Sequence, residues 1–228
     1  MSQKDRSTQA FEPDLITDPK KKAEKEASNA VKQFDCVLDL IDQVARDGRP
    51  FKLRPSTILQ LHQIAMEGLS RYAGNWRPDK AVITGSQHKP PERVQVPGLI
   101  EDMCDWVNDN WQGQSAVQLC AYVMWRLNWI HPFDDGNGRT SRAIAYLVLC
   151  CRLGDRLPGE NTVPEQITHD KKPYYDALEQ ADLASTDDAP DTSALEKLLQ
   201  HYIANQLVTA LDNATNHDIS DPNNRRFH

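Results

Sequence analysis

The chain has 228 residues, 39% apolar and 26% charged, which places it with globular proteins and excludes a disordered or fibrous chain. Asp and Glu outnumber Lys and Arg by 33 to 26, a net charge of −7, so a protein built to grip nucleic acid through its phosphates is not expected. The N-terminus lacks an apolar signal core, no apolar run approaches the roughly 18 residues that span a bilayer, and the cysteines form no C-x-x-C pair. The expectation is a cytoplasmic protein with reduced core thiols, acting away from membranes.

In chain order, residues 1–17 are polar and unpatterned and read as a flexible lead-in. Asp18 and Pro19 form an N-cap with proline at the first helical position, and Gly48 is placed to end that helix. Its apolar spacing (Val31, Phe34, Leu38, Ile41, Ala45) predicts one core-facing stripe, so residues 18–50 form a helix packing on the core. A second helix starts near Pro55, with Ile58, Leu61, Ala65 and Leu69 on one face, and opens the main domain, residues 51–211. Between about 80 and 97 the texture changes: Ala81, Val82, Ile83 and Thr84 are β-prone, prolines 90 and 91 break the run, and Val94 and Val96 alternate with polar residues. That pattern predicts a small β-hairpin. Helical patterning resumes after Pro97, again over residues 115–130 as a largely apolar central helix, and again through Ala143 to Cys151. Further helices are expected from Pro173 and from Asp191 to Leu211, with residues 212–228 a flexible tail. The predicted fold class is all-α, a helical bundle with a small β-hairpin flap.

Between two of these apolar helices stands His131, Pro132, Phe133, Asp134, Asp135, Gly136, Asn137, Gly138, Arg139, Thr140, Ser141, Arg142. The first helix delivers His131 at its C-terminal end, and the next begins near Asn137 or Gly138. Glycines at 136 and 138 let the backbone turn sharply and let a ligand come close. The amides of Gly136, Asn137 and Gly138 at a helix N-terminus form an anion site. Arg139 and Arg142 share a helix face and can clamp phosphate oxygens. Asp135 is placed to hold Mg2+ between phosphates, and His131 is the natural base for a hydroxyl proton. Each feature alone has an ordinary reading: a capping histidine, a Gly-Asn-Gly turn, a solvated arginine face. Their crowding into one short segment does not.

The order of these residues resembles the motif of the Fic/Doc family, H-x-F-x-[D/E]-G-N-G-R-x-x-R, at every fixed position. The stretch 72–77, the run Val82, Ile83, Thr84, Gly85 with Pro90 and Pro91 beyond it, and Tyr174, Tyr175 and Leu178 are also similar to the family, over roughly residues 22–210. The resemblance implies a Fic-type bundle and a protein adenylyltransferase that moves AMP from Mg-ATP, its co-substrate, to a Ser, Thr or Tyr hydroxyl of a target and releases pyrophosphate. It implies His131 as base, Asp135 on Mg2+, and Gly136, Asn137 and Gly138 around the α- and β-phosphates, with Arg139 beside them and Arg142 orienting the γ-phosphate. Thr84, Gly85 and Ser86 would lie near the nucleotide and Tyr174 near the adenine, with the flap docking the protein substrate by backbone pairing. Gly138 separates the chain from Doc-type kinases, which lack that glycine.

Many members carry an inhibitory helix, [S/T]-x-x-x-E-[G/N], whose Glu meets the second motif arginine. No complete copy is present: Thr8 to Glu12 is followed by Pro13, and Thr192 to Glu196 by Lys197. The resemblance therefore leaves a separate antitoxin-like partner, or no such restraint. The alternatives to AMP transfer are removal of AMP from a modified protein and a catalytically idle nucleotide-binding module.

Overall fold

The computed structural model describes the backbone of Ser7–Thr8 and residues 15–48, 50–185 and 190–220, with side chains placed for 15–48, 50–185 and 190–215. Helix α1 (Pro19–Asp47) begins as the local signals require. Asp18 accepts hydrogen bonds from the amides of Lys20 at 2.9 Å and Lys21 at 3.0 Å, Pro19 sits in the first turn, and Gly48 closes the helix in the left-handed region at φ 58°.

The face that α1 buries differs from the apolar stripe expected. Its buried residues are Asn29, Gln33, Val37 and Ile41, four apart, while Val31 is 62% exposed and Ala45 is exposed. Two amides lie on the inner face because of the helix beneath them, α2 (Pro55–Met66). The last carbonyls of a helix have no intrahelical donor. Asn29 Nδ2 donates to Ala65 O at 3.2 Å and Glu67 O at 2.9 Å, and Gln33 Nε2 donates to Leu61 O at 3.0 Å. The buried amides thus cap α2, which fixes the rotation of α1 about its axis.

Helices α3 (Val96–Asp109), α4 (Ala116–Ile130) and α5 (Asn137–Leu153) form the middle of the bundle, with α4 and α5 packed on each other along their apolar faces. The α4 start is a capping box: Ser115 Oγ accepts from Gln118 N at 3.2 Å, and Gln118 Oε1 accepts from Ser115 N at 3.0 Å. Leu119, Val123, Ile130, Phe133, Ile144, Leu147, Val148 and Leu149 are fully buried. A short helix that periodicity did not suggest, α6 (Val163–His169), is set by a second capping box at Thr162 and Glu165. Helices α7 (Lys172–Ala184) and α8 (Ser193–Ser220) close the bundle over α4. Helix α8 continues past Asp212, where the Asn- and Asp-rich composition predicted a flexible tail. Its buried Gln206 accepts from Val163 N at 3.1 Å and so ties α8 to α6.

The expected β-hairpin is not formed. Strand β2 (Ile83–Thr84) pairs antiparallel with β1 (Ser7–Thr8), in the register Ser7 with Thr84 and Thr8 with Ile83. Residues Arg93–Gln95 form a 3-10 turn held by a Glu92/Gln95 capping box, and Val96 opens α3. Val94 is 77% exposed and Val96 fully buried, an alternation that imitates a strand but arises where a turn enters a helix. Ser7–Thr8 lies inside the region read as a lead-in. The all-α class otherwise matches the expectation, and among the described residues no helix is long and apolar enough to cross a membrane.

The five cysteines are free thiols, four of them buried. Burial pushes Cys104 and Cys151 up to about 12, so they pack as small apolar groups rather than act as nucleophiles.

Candidate active site

His131 is the residue at which α4 ends. Its amide donates to Leu127 O at 3.0 Å and its backbone lies in the left-handed region, φ 52° and ψ 58°, a conformation that costs a non-glycine residue about 1–2 kcal/mol. Such strain is held by its surroundings, and the holder is Arg77. The Arg77 guanidinium, buried at 4% exposure, donates from Nε to His131 O at 2.9 Å, from Nη1 to Asp79 O at 2.7 Å and from Nη2 to Pro91 O. The Arg77 amide donates to Pro132 O at 2.8 Å. One side chain therefore locks the end of α4 to the segment that carries β2. The His131 ring lies 3.3 Å from Asn128 O through Nδ1. A carbonyl only accepts, so Nδ1 carries the proton and Nε2 carries the basic lone pair.

The loop that follows is braced from within and below. Asn137 is buried, and its side chain accepts from Phe133 N at 2.9 Å and donates to Phe133 O at 2.8 Å, bridging the loop in the manner of a backbone ladder. Phe133 is fully buried and stacks on His62 of α2 with ring centroids 3.6 Å apart. His62 accepts from Gly74 N at Nδ1, 3.0 Å, so its Nε2–H donates to Asp135 O, also 3.0 Å. Burial is the main cause that lowers the His62 pKa to about 4, and the ring is a neutral brace at physiological pH. A histidine inside the Ile58, Leu61, Ala65 stripe was the signal for this role, and periodicity alone passed over it.

The two glycines have different reasons. Gly136, the N-cap of α5, has φ 77°, and a Cβ there would stand 2.7 Å from Met66 Sδ and 3.3 Å from His62 Cδ2. Backbone conformation and close packing both demand glycine. Gly138 lies within α5, and a Cβ there would meet only the tip of Arg142, Nη1, at 3.2 Å. Nothing in the packing requires a glycine at 138. Its effect is to leave the first turn of a 17-residue helix bare, where amides without intrahelical acceptors and the helix dipole favour an anion.

Charge gathers round that turn. Asp135 Oδ1 accepts from Gly136 N at 2.6 Å, and its Oδ2 lies 3.3 Å from Arg139 Nη2. Arg139 Nη1 also lies 3.4 Å from Glu26 Oε1 of α1, a partner that motif reading did not anticipate. Arg142 is partly buried and pairs with no carboxylate among the described residues. Burial pulls its pKa below the usual guanidinium value. A cavity of about 580 Å3 opens beside both arginines, walled by Gln33, Phe34, Ala143, Tyr146 and Glu165.

The predicted site residues thus separate into two groups. His131, Asp135, Gly136, Asn137, Gly138, Arg139 and Arg142 meet at the start of α5. Thr84 ends β2, and Gly85, at φ 80°, turns the chain into Ser86. This segment is tied to α4 by His88, whose Nε2 donates to Trp129 O at 2.8 Å, and by the Arg77 bond to Pro91. Tyr174 is placed otherwise than expected. It is 1% exposed, and Asn128 Nδ2 lies 2.8 Å from its hydroxyl. A ring enclosed in the core offers no face to an adenine, and its role is to join α7 to the α4 residue that orients His131. Glu196 is held by its own helix start, its Oε1 accepting from Thr192 Oγ1 at 2.9 Å, so it is no restraint on Arg142. Glu12 lies outside the described residues.

Comparison with known proteins covers the same region. Residues 52–149 match the model of the Fic/DOC family. A protein of Caenorhabditis briggsae named protein adenylyltransferase fic-1 is 37% identical over 123 residues, covering 53% of this chain and 24% of that protein. The chain therefore spans about a quarter of that relative's length. A Fic-domain-containing signaling protein from Bacteroides thetaiotaomicron shares the fold, with a TM-score of 0.67 at 23% identity over 84% of this chain and 74% of the other. The BepC protein of Bartonella tribocorum, solved with bound AMPPNP, has a TM-score of 0.52 at 15% identity over 83% of this chain and 88% of the other. The matched residues enclose the whole loop and helix start described above, and over this stretch the chain is similar to the Fic/DOC family.

Proposed function

We propose that the chain is a protein adenylyltransferase, transferring AMP from ATP to a hydroxyl of a target protein. The observation that carries this reading is Gly138: a glycine without a conformational or packing reason, at the bare end of a helix, with Arg139 and Arg142 on the flanking face. That end suits a polyphosphate, and a nucleotide as ligand is in keeping with the relative named protein adenylyltransferase and the BepC structure with bound AMPPNP.

In the proposed reaction the target oxygen bonds to the α-phosphorus, the bond from that phosphorus to the pyrophosphate oxygen breaks, and the hydroxyl proton passes to His131 Nε2. Asn128 O fixes the tautomer that makes Nε2 the acceptor. Arg142 would face the leaving pyrophosphate. Arg139 would exchange its contact with Glu26 for phosphate oxygens. Asp135 suits Mg2+ as a half-exposed single carboxylate beside the phosphate end, since Mg2+ takes one or two carboxylates and completes its shell with phosphate and water. When bound, the ion would neutralise charge on the phosphates.

The test is labelling of lysate proteins with ATP marked at the α- or the γ-phosphate. Transfer from the α position alone, lowered at least about 100-fold in a folded His131→Ala variant, is the expected result. Transfer from the γ position would replace this reading with a kinase.

A further inference from the structure

We propose that the chain's own N-terminal strand, Ser7–Thr8, is a resident occupant of the strand edge on which a target segment docks, so that a target binds by displacing it. The inference rests on the transferase reading, in which the β2 segment receives the protein substrate.

Strand β2 has one of its two edges filled in this chain, the edge the proposal assigns to a target, with Ser7 opposite Thr84 and Thr8 opposite Ile83. An exposed strand edge recruits extended peptide through backbone groups, whatever side chains that peptide carries. A resident strand therefore competes for the same donors and acceptors. The pairing is short. Among the described residues, two opposite two make a marginal ladder, weak enough to yield to a longer or better-matched strand. Val82, immediately before β2, is 57% exposed, leaving an apolar side chain beside the edge for an incoming segment to cover. The edge is held in place independently of its occupant, by His88 on Trp129 O and Arg77 on Pro91 O, so vacating it need not dismantle the site.

The experiment uses the full chain, its double variant Ser7→Pro/Thr8→Pro, and a control Ser7→Ala/Thr8→Ala. Proline removes the backbone donors of β1, whereas alanine keeps them. The probe is a fluorescent synthetic peptide with the sequence of residues 3–12, followed by anisotropy, alongside hydrogen exchange of the segment containing Ile83 and Thr84. The proposal expects the proline variant to bind the peptide at least about tenfold more tightly than the parent and alanine control, and its Ile83 and Thr84 amides to exchange at least about tenfold faster. Each tenfold corresponds to about 1.4 kcal/mol. It also expects AMP labelling of lysate proteins to rise in the proline variant. Equal peptide binding by all three proteins, or unchanged exchange, would overturn it. Binding and exchange need no nucleotide, so they decide this proposal even where labelling fails, a failure that would strike the transferase reading instead.

Discussion

The loop from His131 to the first turn of α5 and the segment from Pro78 to Glu92 are both irregular, yet they are held in opposite ways. Every turn of the first is fixed by buried side chains: Asn137 on both backbone groups of Phe133, His62 on Asp135 O, Arg77 on His131 O, and Met66 against Gly136. The second hangs from the short pairing with Ser7–Thr8, His88 and two bonds from Arg77, to Asp79 O and Pro91 O. The contrast matches the work proposed for each. Group transfer depends on reacting atoms held to a fraction of an ångström, whereas docking an extended segment needs only an edge of backbone groups.

The comparison breaks most sharply at the two glycines. Gly136→Ala forces a Cβ into Met66 at φ 77°, and is expected to cost about 2–4 kcal/mol from left-handed strain and overpacking. Gly138→Ala should leave stability equal or raise it by up to about 1 kcal/mol, because alanine favours a helix. It should nonetheless lower AMP transfer. Denaturant unfolding beside transfer rates separates the two, and equal stability losses would mean that Gly138 is structural after all.

The next effect is a pH dependence of the braced loop. His62 has a folded value of about 4 against the ordinary 6.5, so between these values the unfolded chain binds a proton that the folded chain refuses. Its contribution is complete above pH 6.5, falls as the pH is lowered to 4, and is flat below. It amounts to about 3 kcal/mol over that window. Thermal unfolding across this range should show the component in the parent and lose it in His62→Gln. Identical profiles would remove His62 as the brace.

The smallest effect lies in the loosely held segment. His88→Ala removes one bond to Trp129 O and should cost under about 1 kcal/mol. Hydrogen exchange over residues 80–92 should rise, while exchange over residues 131–140 stays as in the parent. Equal loosening of both would mean that the two regions form one rigid unit.

Much of this molecule is legible from neighbouring residues. Asp18, Pro19 and Gly48 set the ends of α1, Ser115 starts α4, and the crowding from His131 to Arg142 marks the site, because caps, glycine turns and periodicity act within a few residues of themselves. Other features had no local signal. The apolar pattern of α1 pointed to Val31 and Ala45, but the face it buries starts with Asn29 and Gln33, chosen by unpaired carbonyls on α2. Tyr174 follows the family's pattern in sequence, yet its surroundings enclose it against Asn128. Val94 and Val96 alternate like a strand, yet β2 takes its partner from Ser7–Thr8, far away in the chain. His62, Arg77 and Glu26 reach the site from separate elements. Local signals in the sequence set where α1, α2, α4 and α5 begin, where α1 ends, and which chemistry gathers at the start of α5. Only the tertiary structure decided which polar groups are buried, since a buried donor or acceptor goes wherever an unpaired backbone group lies, and that is a property of distant segments brought together.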